Sequence, residues 1–371
     1  MTQSTDRVRR ASALWMLASL PLIAGIIGLA GCKNSNNGGP SGGSATRLNG
    51  GGATFVDPIM QKWSAEYKKA KGVAIDYVKS GSGDGIKGMT NKTLDFGCSD
   101  APMNKKEVEA AMKEGGEVIH IPITMGAVAI VYNLPGVEKL RLSGPVIAEI
   151  YMGKIKTWND KAIADLNPGV KLPDKQIVPV YRAEGSGTTF IFTDYLSKVS
   201  PEFAKTIGAS KSPKWPNIGT GQSGSDGVAG HVKRNEGCIG YVEVFYSKSF
   251  EVPAAVLKNR KGNEVLPTAA ATTAAAEAAM KVKPTEEPYS LHEFTFPLTD
   301  TDGEQAYPIS GMSFLILYKK QPEDKGQALK DFLHWATTEG QKFAEELSYA
   351  PLPEDLSKAL QKRIDQVELL K

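Results

Sequence analysis

Histidine and cysteine are scarce in this 371-residue sequence, which holds four of the first and three of the second. His120, His231, His292 and His334 stand far apart, so neither an H-E-x-x-H pair nor a cysteine–histidine cluster offers ligands to a metal. Each reads instead as a strand or helix surface residue. The segments around Ser82, Ser186 and Ser223 lack the G-x-S-x-G elbow of a serine nucleophile. "GSGDGIKG" lacks the spacing of a nucleotide-binding phosphate loop. These absences argue against an enzyme, a phosphate-ester hydrolase included, and no cofactor or metal is expected. Excess positive charge is missing too. The formal net charge is +3, and subtracting Arg7, Arg9 and Arg10 of the leader while adding back Asp6 lowers it to +1. With no Lys/Arg-rich stripe either, nucleic acid is excluded as a partner.

What is present is a globular composition, 41% hydrophobic and 23% charged, in a chain long enough for two domains of ordinary size. It begins with a leader. Three arginines precede the apolar run "ASALWMLASLPLIAGIIGLA", which ends in "LAGC" at Leu29 to Cys32. A basic segment, an apolar segment and small residues before a cut describe a secretory signal over 1–31. The cysteine after them resembles a bacterial lipobox, cleaved before Cys32 and lipidated on its sulfur. A transmembrane anchor competes, since roughly 20 apolar residues can span a bilayer; Pro21 and "LAGC" favour the lipoprotein. Residues 32–47, rich in Gly, Ser and Asn, read as a flexible tether, and the folded part starts near Leu48. Export invites a disulfide between the remaining Cys98 and Cys238. Their apolar settings, "LDFGCS" and "GCIGYVEVF", suit buried free thiols better.

From 48 onward the periodicity alternates. Phe55, Ile59, Trp63 and Tyr67 fall four apart on a helix closed by Gly72. "VAIDYV" and "LDFGCS" read as strands, with "IKGM" entering a helix between them, and Asn104 caps another helix. "VIHIPITMGAVAIVYN" reads as extended. "SGPVIAEIYMG" is helical, "IVPVYR" a strand, "DGVAGHVKRNEG" a helix ended by Gly237, and "CIGYVEVF" a strand. Pro267 opens the alanine-rich helix, "PISGMSFLILYKK" is a late strand, and "GQALKDFLHWATTEGQKFAEEL" is amphipathic and helical. Such alternation builds parallel βαβ units in an α/β fold.

Small polar residues gather at the junctions: "GGGATF" (50–55), "SGSGDG" (80–85), Ser99-Asp100, and "RAEGSGTT" (182–189). Each follows a strand or opens a helix, the places where open α/β sheets bind ligands. The last is the most pointed. Its glycine-serine turn precedes a helix whose Phe192, Tyr195, Leu196 and Val199 share one face, so free N–H groups and the positive end of the helix dipole lie beside Arg182. An ordinary N-cap with a surface arginine is the competing reading of that segment alone. Four such loops with one arginine fit a small oxyanion.

"GGGATFVDPIMQKW", "SGSGDGIKG", "LDFGCSDAPM", "IYMGKIKTWND", "RAEGSGTTFIFTDYLSKV" and "GCIGYVE", in this order, are similar to the periplasmic phosphate-binding proteins of bacterial phosphate ABC transporters. The similarity runs from Leu48 to "YAPLPEDL". It implies the two-lobed α/β periplasmic-binding-protein fold (type II), closing by a hinge on its ligand, with lobe I at 48–123 and 309–371 and lobe II at 124–308. Carried over by motif, Thr54 and Phe55 donate backbone N–H groups, the Thr54 hydroxyl adds one donor, and Ser82 gives hydroxyl and amide. Asp100 accepts a proton from the ligand, Arg182 supplies a bidentate cation, and Ser186, Gly187 and Thr188 supply helix-start donors. Glu184 stands where the family often has an aspartate paired with the arginine. The resemblance further implies inorganic phosphate as ligand, an ABC permease as partner, a monomer, and membrane contact through the lipid alone. It puts Cys98 and Cys238 in different lobes, where a disulfide would prevent opening. The same fold binding sulfate, arsenate or molybdate is the alternative, and Asp100 is the residue that separates the two.

Overall fold

An eight-stranded sheet in the order β2-β1-β3-β11-β4-β8-β6-β7 organises the computed structural model, which describes residues 46–371. The leader, Cys32 and the tether before residue 46 lie outside the described residues. The first half holds β1 (Arg47–Gly52), α1 (Asp57–Lys71), β2 (Ala74–Lys79), α2 (Ser82–Thr90), β3 (Phe96–Ser99) and α3 (Lys105–Gly115). The long β4 (Val118–Tyr132) follows, then β5 (Arg141–Leu142), α4 (Gly144–Tyr151) and α5 (Lys161–Ala164). Next come β6 (Val178–Arg182), α6 (Gly187–Val199), α7 (Pro201–Thr206), β7 (Thr220–Gln222), α8 (Gly224–Arg234), β8 (Cys238–Glu243) and α9 (Val244–Ser249). The short β9 (Val256–Lys258) and β10 (Glu264–Val265) precede α10 (Ala269–Ala279) and β11 (Ser310–Tyr318). The chain ends with β12 (Lys320–Pro322), α11 (Glu323–Ala336), α12 (Glu354–Asp365) and β13 (Glu368–Leu370).

Two parallel trios form the sheet. β2, β1 and β3 run parallel on one side, and β8, β6 and β7 on the other. Antiparallel β11 and β4 join them. β4 is shared: Val118–Ala127 pairs with β11 and Val128–Tyr132 with β8. Every residue of β4 is buried, as expected of a Val/Ile-rich strand covered on both faces. The two halves are therefore continuous through one strand, although each carries its own helices.

Local chemistry explains the element ends. Gly72 closes α1 in the left-handed conformation (φ 74°), with Asp57 in the first turn and Lys68, Lys69 and Lys71 in the last. Asn104 and Glu107 form a reciprocal capping box at α3, bonded at 3.1 and 2.9 Å. Some expectations are corrected. Ser82 lies in the first turn of α2, which starts before "IKGM". β8 stops at Glu243, whose carboxylate caps α9 through Phe245 N–H at 2.9 Å, so "VF" is helical. α8 starts at Gly224 and ends at Arg234, before Gly237. Thr268, not Pro267, begins the alanine-rich helix as its cap. The tail helix stops at Ala336 and continues as 3₁₀ turns at Glu339–Phe343 and Glu345–Leu347. His120 is not on the surface: it is buried in β4 and accepts from Met103 N–H at 3.2 Å. Cys98 and Cys238 are both buried and free, and burial pushes both thiols up from the ordinary range.

Candidate ligand-binding site

The two parallel trios run in opposite directions across β11 and β4 and point their carboxyl ends at one place. Beyond β1, β2 and β3 stand Thr54, Ser82 and Asp100; at or beyond the ends of β6, β7 and β8 stand Arg182, Ser225 and Glu243. All six are buried. This is where an open α/β sheet positions a ligand, and here two half-sheets contribute to the same place.

Arg182 is no surface arginine: its side chain is 1% exposed. Nε donates to Glu184 Oε1 at 2.7 Å, Nη2 pairs with the same oxygen, and Nη1 donates to Ser225 Oγ at 3.2 Å. Glu184 Oε1 also accepts from Gly224 N–H at 3.0 Å. Each terminal nitrogen thus keeps one further N–H, two charged donors for the oxygens of an anion. Glutamate, longer than aspartate, still reaches the arginine, doing so through one oxygen while its Oε2 is buried without a partner.

Asp100 is the opposing charge. Ser313 Oγ donates to its Oδ1 at 2.8 Å, and Ser82 Oγ lies 3.5 Å from Oδ2. Burial pushes its carboxyl up to about 7, against the pull of Ser313, Arg182 and Ser82 in the other direction. The rival role for Asp100, capping α3, belongs to Asn104. Glu243 is a second buried carboxyl here, raised well above the ordinary range chiefly by burial, with Asp100 adding to the shift.

The donors are brought together, though not all remain free. Among the described residues the amides of Thr54 and Phe55 make no hydrogen bond, whereas the Phe55 ring packs in the core beside Tyr349. Thr188 Oγ1 is buried and unpartnered. Ser186 caps α6 by accepting from Thr189 N–H at 3.1 Å, which leaves its own hydroxyl hydrogen to donate. The Gly187 amide is the exception. It donates to Ser82 Oγ at 2.9 Å, as Asp100 N–H does at 3.2 Å, so Gly187 ties one half of the site to the other. A Cβ on Gly187 would stand 2.5 Å from Ser82 Oγ and 2.6 Å from Asp100 N, so only glycine allows this approach. Gly83 N–H also donates to Gly185 O at 2.9 Å, completing an interlock of the two glycine-rich loops.

Ser225 was not expected. It links the halves: its Oγ is 3.2 Å from Thr54 Oγ1, and its amide donates to the same hydroxyl at 3.4 Å. The signal was there, since "SGSD" at 223–226 repeats the pattern of "SGSGD" at 80–84. An apolar groove of about 740 Å³, lined by Met280, Val282, Leu291 and Phe296 among others, contains none of these residues.

The PBP superfamily domain matches residues 39–339 of the chain. The phosphate-binding protein PstS of Xylella fastidiosa (strain 9a5c) is 40% identical over 90% of this chain and 93% of its own length. That of Pasteurella multocida is 41% identical over 85% and 89%. A solved high affinity periplasmic phosphate-binding protein bound with phosphate superposes with a TM-score of 0.69 at 22% identity, over 85% of this chain and 93% of that one. The fold is thus the two-lobed periplasmic-binding-protein architecture, and by its sequence the chain belongs to the PstS family of phosphate-binding proteins within the PBP superfamily.

Proposed function

We propose that this protein binds inorganic phosphate outside the cytoplasm and delivers it to an ABC-type permease, as a binding protein and not an enzyme. The observation that carries the reading is the pairing of a buried arginine, with one N–H still to give on each terminal nitrogen, with a buried carboxyl across the same site. The arginine meets the charge of the anion and the carboxyl meets its proton. Relatives about 40% identical over most of the chain carry the same name for what they bind. The binding residues are Thr54, Phe55, Ser82, Asp100, Arg182, Ser186 and Thr188, with Glu184 and Ser225 orienting Arg182 and Gly187 joining the halves. Lobe I comprises 48–123 with 309–371 and lobe II 124–308, crossing at β4 and just before β11. Titration calorimetry should show tight phosphate binding that excess sulfate does not displace, and the radius of gyration should fall on loading as the lobes close. A protein that binds sulfate as firmly, or none of these anions, would overturn the assignment.

The cell-surface reading rests on the leader. Cys32 is the lipidated first residue of the mature chain and 32–47 the tether. A Cys32→Ser variant should leave the membrane fraction for the soluble one; unchanged membrane attachment would refute lipidation.

A further inference from the structure

Three successive carbonyls of the loop after β1 are each held by a tyrosine hydroxyl. Tyr77 donates to Ala53 O at 2.8 Å, Tyr246 to Thr54 O at 2.7 Å and Tyr349 to Phe55 O at 2.5 Å. All three tyrosines are buried. Two of them share the loop's own half of the molecule: Tyr77 lies on β2 and Tyr349 just after the 3₁₀ turn at Glu345–Leu347. Tyr246 does not. It projects from α9, which follows β8 on the opposite half-sheet, and so spans the boundary between the lobes.

We propose that Tyr246 is a closure latch, a positioning residue whose hydroxyl ties α9 of lobe II to the Thr54 carbonyl of lobe I when the cleft is shut. The proposal rests on the phosphate reading above for its ligand. Opening the lobes separates Tyr246 from Thr54 but leaves Tyr77 and Tyr349 beside their carbonyls. A bond present in one state alone shifts the equilibrium between the states by its full net strength. The Thr54 carbonyl has one other donor, Asp57 N–H at 3.3 Å, which is long, so the tyrosine is its principal partner. The placement matters for the ligand as well. Fixing Thr54 O orients the peptide that carries the Phe55 N–H, one of the two amides left to meet an anion. Glu243 caps α9 and fixes the helix that carries the latch, and Lys248 Nζ on the same helix reaches Ser348 Oγ of lobe I at 2.9 Å, a second tie across the same boundary. A latch acts after encounter, so it governs release and not association.

Tyr246→Phe keeps the ring and removes the hydroxyl; Tyr349→Phe does the same within lobe I. Stopped-flow binding of inorganic phosphate should give roughly tenfold faster release for Tyr246→Phe with an unchanged association rate, the scale of one buried hydrogen bond. Its thermal stability without phosphate should match the parent's, while Tyr349→Phe should melt lower. Spin labels on surface positions of the two lobes should report a smaller closed fraction for Tyr246→Phe, with or without phosphate. Parental release together with a parental distance distribution would overturn the latch, as would a ligand-free destabilisation equal to that of Tyr349→Phe. A parent that fails to bind phosphate would sink the functional reading instead, and the distance distribution alone would then decide the latch.

Discussion

Arg182→Ala should lose most of the phosphate affinity, by about 2–5 kcal/mol, the cost of removing one partner of a buried charge pair. That is a loss of roughly thirty- to several-thousand-fold. The side chain is almost wholly buried and fixed on two sides, by Glu184 and by Ser225, so it is already oriented before the anion arrives. Arg182→Lys should recover only part, since an ammonium offers no planar fork. One complication is separable. Alanine strands the Glu184 carboxylate, which would keep only the Gly224 N–H bond and already has a buried, unpartnered Oε2. The double variant Arg182→Ala/Glu184→Gln should therefore regain thermal stability without regaining affinity. Calorimetric titration of phosphate beside melting curves makes the distinction, and a single variant that binds within twofold of the parent would place the site elsewhere.

Much of the candidate site is legible in the sequence, because its chemistry is concentrated in short loops with strong local signals. Glycine and hydroxyl residues after apolar runs mark strand ends, and the arginine follows "IVPVY" directly. Ser225 was missed because β7 ahead of it is three residues long, too short for a period-2 pattern to register. His120 was misplaced for the opposite reason. Alternation in "VIHIPIT" suggests an outward face, but a central strand covered on both sides has none. The Gly187–Ser82 bond and the tyrosine clamps join residues 105 to 294 positions apart, apart from Tyr77. No periodicity encodes such pairings, and their chemistry shows only when the sheet brings the loops together. The raised carboxyls of Asp100 and Glu243 belong to this class too, since burial is their first cause.

Asp100 should make the protein choose phosphate over sulfate, and the choice should weaken in acid. A carboxylate in an anion site is repulsive in a desolvated setting unless the ligand brings a proton. Phosphate near neutral pH does so, and ionised Asp100 accepts that hydrogen in a charge-assisted bond. Sulfate has none to give and would set its lone pairs against the carboxylate, a mismatch that supports discrimination of roughly 10⁴-fold. Arsenate, protonated like phosphate, should be rejected far less. Because burial lifts the Asp100 carboxyl to about 7, the group holds its own proton below that pH and can donate it to sulfate, so selectivity should fall from pH 8.5 to pH 5. Stability moves with the same proton. A folded-state value above the unfolded one, about 3.9, gives a contribution fully present below about pH 4 and lost as pH rises through about 7. Asp100→Asn cannot ionise and donates from its amide, so it should flatten the stability profile between those limits and bind sulfate alike at pH 5 and 8.5. Competition of sulfate against labelled phosphate at both pH values reads the effect. A parent whose preference is the same at pH 5 as at 8.5, or an Asp100→Asn variant that still excludes sulfate, would show that selectivity comes from another group.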